Sequence, residues 1–120
     1  MSILKELNTL LSQVDIPIET GYFSGKPPDE YMVITPMVDT FEVFADNLPQ
    51  AETQEVRLSL FCKNNYISRK NQLSKILLEA GFMITDRRYI GFENDTKYHH
   101  VAIDCGKSYF VASEYELKEE

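Results

Sequence analysis

The stretch QLSKILLEAGFMITDRRYIGFENDTKYHHVAIDCGK, residues 72–107, decides the fold. Leu73, Ile76, Leu77 and Ala80 recur at spacings of three and four, which gives a helix one apolar face. Gly81 follows where a helix prefers to end in a left-handed residue. The period then shortens. Phe82, Ile84, Ile90 and Phe92 suggest a strand, with a phase change around Asp86, Arg87 and Arg88 that fits a bulge. Residues 93–97 supply a polar turn, and beyond it Val101, Ile103 and Cys105 alternate with His100, Ala102 and Asp104. The whole reads as a helix followed by a β-hairpin, its side chains sorted into an inward and an outward set.

Upstream, Asn65 or Ser68 can cap the start of that helix, whose outer face carries Arg69, Lys70 and Lys75. Residues 55–62 alternate, with Val56, Leu58, Leu60 and Cys62 on one face and Arg57, Ser59 and Phe61 on the other. A first helix is expected behind Ser2, where Leu4, Leu7, Leu11 and Val14 form one stripe that Asp15 and Pro17 end. Residues 18–23 make a short strand, followed by a loop with adjacent Pro27 and Pro28. Residues 31–39 are strand-like, and Pro36 inside them argues for an edge or a bulge. Residues 40–53 show no clear period and are read as a long excursion. Residues 109–111 can add a last short strand.

The expected fold is therefore α+β: one domain over residues 1–107, with an antiparallel sheet of four to five strands and two helices on one face, in the order α-β-β-β-α-β-β. Residues 108–120 form a charged C-terminal extension. At 120 residues the chain suits a single layered core.

Charge is unevenly distributed. The net charge is -7, and residues 1–60 carry ten acidic groups against three basic ones (Lys5, Lys26, Arg57). Such a balance repels phosphate backbones and anionic membranes, which disfavours a primary nucleic-acid binder. No apolar run approaches the roughly 20 residues of a membrane span, and residues 1–14 lack the basic start and apolar centre of a signal peptide, so the protein is expected to stay in a cytoplasm. Cys62 and Cys105 fall at inward strand positions and read as two reduced core thiols.

Chemistry is harder to find. His99 and His100 are adjacent on a strand, so their rings point to opposite faces and cannot converge on one metal or one proton. Asp86 and Asp104 can sit on neighbouring strands, yet an acid/base pair also needs a pocket that shifts one pKa. The five glycines are dispersed singly, so there is no phosphate-cradling loop and no cofactor is implied. Two runs remain. Residues 86–89, Asp-Arg-Arg-Tyr, read either as a charged edge that discourages pairing or as an interface patch. Residues 41–44, Phe-Glu-Val-Phe, read either as a core strand or as an apolar arm buried against a neighbour.

Tyr31-Met32-Val33-Ile34 before a long connection, the strand at 55–61, the helix ending Leu77-Leu78-Glu79-Ala80-Gly81-Phe82, and Asp86-Arg87-Arg88-Tyr89 before Tyr98-His99-His100 together resemble the tail terminator, or tail completion, proteins of long-tailed bacteriophages and prophages. The likeness covers residues 1–107 and rests on element order, length and local wording, not on a catalytic signature. It implies a non-enzymatic virion protein, assembled in the host bacterial cytoplasm, whose copies form a ring, commonly a hexamer. That ring caps the tail tube, stops its polymerisation and joins it to the head connector. Its partners would be itself, the tail tube protein and the head–tail connector protein, with DNA only passing through and no membrane or cofactor involved. A cyclic assembly needs complementary lateral surfaces, and Phe41, Phe44 and Leu48 are the expected apolar contacts, with Arg87, Arg88 and Tyr89 around them. Acidic residues lining the opening would let DNA slide past. Other readings stay open: a small acidic adaptor or immunity-type inhibitor that binds a cationic partner, another phage neck component such as a head completion protein, or, last, an enzyme, which would need a pocket gathering His99 or His100 with Asp104 or Asp86.

Overall fold

The computed structural model describes residues 2–45 and 48–111. Five strands form one mixed sheet, with two helices packed on one of its faces. In chain order the elements are α1 (Ile3–Leu11), β1 (Ile18–Thr20), β2 (Glu30–Ala45), β3 (Leu48–Cys62), α2 (Tyr66–Glu79), β4 (Met83–Phe92) and β5 (His99–Phe110). The strands lie side by side as β1-β2-β3-β5-β4. All neighbours are antiparallel except β1, which runs parallel to β2 over Ile18–Thr20. The fold class and the element order are those expected from the sequence.

The core follows directly from the two periodicities. Ile3, Leu7 and Leu11 of α1 and Val14, which lies in the bend after the helix has ended and not, as expected, in its stripe, pack with Leu73 and Leu77 of α2 onto Met32, Ile34, Val56, Leu58, Leu60, Val101, Ile103 and Cys105. Each large aliphatic side chain removed from water here contributes on the order of 2 kcal/mol. Both cysteines are free and buried, and burial pushes the Cys105 thiol up to about 12.

Helix ends show how local chemistry sets the boundaries. Asn65 caps α2, its side chain accepting from the Ser68 N–H. At the other end Gly81 adopts φ +88°, and the N–H groups of Gly81 and Phe82 return to Leu78 O and Leu77 O, the double closure that a left-handed residue permits. α1 departs from expectation. Ser2 is in cap position, but its side chain makes no cap hydrogen bond; the Ile3 N–H is satisfied by Oε1 of Gln54, 2.8 Å away on β3.

The region read as a long excursion is instead a hairpin arm. β2 continues to Ala45, β3 begins at Leu48, and their ladder runs from Glu30↔Cys62 out to Ala45↔Leu48. The molecule is accordingly long, 59 × 27 × 24 Å. No apolar period was visible because residues 35–42 of β2 are exposed on both faces, and the buried positions opposite them on β3 include the polar Glu52 and Gln54. The register of β2 slips between Pro36 and Val38, the bulge that Pro36 foretold. β4 carries two such slips, Ile84/Asp86 and Tyr89/Gly91. Ile90, which falls in the second slip, and Phe92, which pairs with His99 on the helix side, are both exposed. β5 runs on through Phe110, past the expected boundary at Lys107; the remainder of the charged extension, from residue 112, lies outside the described residues.

Candidate interface surfaces

The six residues expected at interfaces fall into two separate groups. On the arm, Phe41 is 44% exposed and stands opposite Glu52. Leu48 is half-buried and pairs with Ala45. Phe44 pairs through its backbone with Pro49, while its side chain lies outside the described residues. The second group lies on β4. Arg87 and Tyr89 point to the helix side: Arg87 Nη1 is 3.4 Å from both Asn71 Oδ1 and Ser74 Oγ, and the Tyr89 hydroxyl is 2.9 Å from His99 Nδ1. Arg88 points to the opposite side, where its guanidinium is 3.1 Å from Asp86. The strand alternation thus divides the basic run between two surfaces.

The sheet face away from the helices is open, and its side chains form cross-strand bands. Arg57 on β3 holds Asp104 on β5 through two parallel hydrogen bonds of 2.7 and 3.0 Å, a fork geometry that guanidinium and carboxylate share. Further along the sheet Thr53 on β3 bonds Ser108 at 2.8 Å and donates to Glu42 at 2.6 Å. At the other end the rings of Tyr31, Phe61 and His100 stack in register across β2, β3 and β5, with centroid separations of 4.7 and 4.2 Å. Tyr98 meets Tyr31 and Phe61 edge-on, and its hydroxyl donates to the Pro28 carbonyl.

Sequence reasoning put Phe61 on the outward side without anticipating this aromatic bank. The signal was there: three ring-bearing side chains at outward positions of strands that become neighbours. Neighbouring strands cannot be known from one strand's pattern alone.

The residues that acid/base chemistry would draw on are engaged elsewhere. His99 lies among Tyr66, Tyr89 and Phe92 on the helix side, and His100 is on the open side. Burial holds His100 below the ordinary histidine range, with Glu93 opposing and Arg57 assisting, and its Nε2 is buried without a hydrogen-bond partner. His100 and Asp104 share a face but are four residues apart on one strand, roughly 13 Å along its axis. Among the described residues, no hydrogen bond or ion pair joins either imidazole to a carboxylate.

Two hollows flank the helices. One, of about 370 Å³, is lined by Glu30, Cys62, Asn64, Asn65, Ser68, Arg69 and Gln72. Its cation is already committed: Arg69 donates to both oxygens of Glu30 at 2.9 and 2.7 Å and holds that carboxyl below the usual range. Burial raises the Cys62 thiol, which weakens it as a nucleophile. The other, of about 800 Å³, runs beside α1 along Ser2, Lys5, Glu6, Thr9 and Leu10. Among the described residues, no group of three His, Cys, Asp or Glu side chains is arranged to hold a metal ion, and no helix is long and apolar enough to cross a membrane.

Fold and surfaces together define a two-layer α+β domain with one sheet face covered, one open, and a long β2–β3 hairpin that β5 flanks as far as Ala51. No family model matches the chain, and no curated protein matches it.

Proposed function

We propose that this protein is a structural subunit of the tail terminator type, copies of which form a ring that caps a phage tail tube and joins it to the head connector. The observation that carries the reading is the lateral architecture of the sheet. β4 is an outer strand with an open edge, and β2, which β1 flanks only at Met32, Val33 and Ile34, extends with β3 into a hairpin arm that bears exposed Phe41. A ring subunit needs two unlike lateral surfaces that fit each other, because a heterologous contact repeated by rotation closes on itself. A long arm with an apolar side chain suits one of them.

The chemistry agrees with an assembling role. Several polar side chains on the open face pair with one another, as in Arg57 with Asp104 and Thr53 with Ser108. This arrangement organises a surface rather than activating a substrate. The surplus of acidic groups in residues 1–60 suits a ring through which DNA slides without adhering.

The test is tube length. Purified chain added to elongating cognate tail-tube protein should stop growth at the ends it caps, giving short tubes each with a terminal ring. Tubes that grow to the same length distribution with and without the chain would overturn the proposal.

A further inference from the structure

We infer that copies of this chain join edge to edge, residues 86–89 of β4 in one copy forming an antiparallel ladder with the outer edge of β2 in the next, Arg87 opposite Asp39. The inference rests on the ring reading and specifies its lateral contact.

Free edges come first. β4 is an outer strand, and among the described residues only β5 pairs with it. On the other side β1 occupies β2 only at Met32, Val33 and Ile34, which leaves residues 35–45 of β2 with an open outer edge. Unpaired backbone N–H and C=O groups on such an edge are a template for another strand.

Direction follows from the topology. β2 is antiparallel to β3, β3 to β5 and β5 to β4, so β2 and β4 run opposite ways within one subunit. When one sheet continues into the next with both helix layers on the same side, β4 of the first copy therefore meets β2 of the second in antiparallel fashion. This is the pairing with the better-aligned hydrogen bonds.

Side-chain alternation then selects the register. Arg87 faces the helix side, where it reaches Asn71 and Ser74. Asp39 stands beside the buried Gln54 and so faces the same side. Setting Arg87 opposite Asp39 places Asp86 opposite Thr40 and Arg88 opposite Val38, so no like charges face each other. A slip of one residue would send the two charges to opposite faces. Neither Arg87 nor Asp39 makes an ion pair among the described residues, so each is available to the other.

A two-fold pairing of β4 with β4 centred in the same run would instead set Arg87 or Arg88 against its own copy. The bulges on both sides of residues 86–89 keep the regular edge short, which discourages indiscriminate partners.

The test is a charge exchange in the full chain. Arg87→Asp and Asp39→Arg should each raise the concentration needed for assembly at least tenfold, as read by particle mass, and the double variant should restore it. Singles that assemble like the wild type would overturn the pairing and leave the ring reading standing; a wild type that never assembles would overturn both. Should a charge variant fail to fold, oxidation of the Asp39→Cys, Arg87→Cys chain decides. Covalent species beyond dimers, absent from either single variant, are expected, and their absence would overturn the pairing.

Discussion

Lys107 on β5 sets its Nζ 2.5 Å from Oε2 of Glu6 on α1 and 2.9 Å from the Ala80 carbonyl at the end of α2. One ammonium thus ties both helices to the same strand. It also lies over the Phe82 ring, 4.8 Å from the centroid, and the other oxygen of Glu6 accepts from the Tyr109 hydroxyl. The cation belongs where it is: a helix C-terminus presents unpaired carbonyls and a partial negative charge.

Lys107→Met keeps the stem and removes the charge. The pair is about a quarter exposed, so solvent screens part of its energy, and a loss of about 1–2 kcal/mol is expected. Urea unfolding measures it; an unchanged midpoint would show that the ammonium contributes nothing to helix docking.

Leu58 lies between Ile34 and Ile103 and is fully buried. Leu58→Ala should cost about 2–5 kcal/mol, depending on how far the sheet and helices close on the cavity. A loss below 1 kcal/mol in thermal or urea unfolding would contradict the central placement of this side chain.

Acid should weaken the fold in two stages. Burial depresses His100, so the unfolded chain takes up its proton first, near pH 6.5. Stability present above that value falls as pH drops toward the folded-state value. Glu30 is depressed by Arg69, and its contribution is present above the ordinary glutamate range and lost at lower pH. His100→Phe, which retains a ring against Phe61, should flatten the stability profile just below about pH 6.5 and leave the lower stage unchanged. An identical profile in that variant would remove His100 as the cause.

Much of the layering was legible in the sequence. Leu73 and Leu77, the Gly81 stop, and the alternation of Val56, Leu58 and Leu60 are local patterns fixed by which side meets the core, and the structure places them accordingly. The arm was not legible, because Asp39 and Phe41 on one side and Thr40 and Glu42 on the other carry no apolar contrast. The capping of α1 by Gln54 was equally hidden, since it joins residues 51 positions apart. Of the expected interface residues, Phe41 and Leu48 share the arm, whereas the β4 bulges and the strand alternation send Arg87 and Arg88 to different faces.

Phe41→Ser should weaken assembly without affecting the fold, because the side chain is 44% exposed on the arm. A lower particle mass with an unchanged unfolding midpoint is expected. A large fall in stability would mean that the ring serves its own subunit instead.

The claim beneath the whole account is that this chain is built to assemble with copies of itself. Sedimentation mass and negative-stain images of the purified full chain, taken across micromolar concentrations, test it most directly. The account predicts closed particles of a single mass, an integral multiple of 13.9 kDa, with a central opening. A 13.9 kDa monomer at every concentration would contradict it.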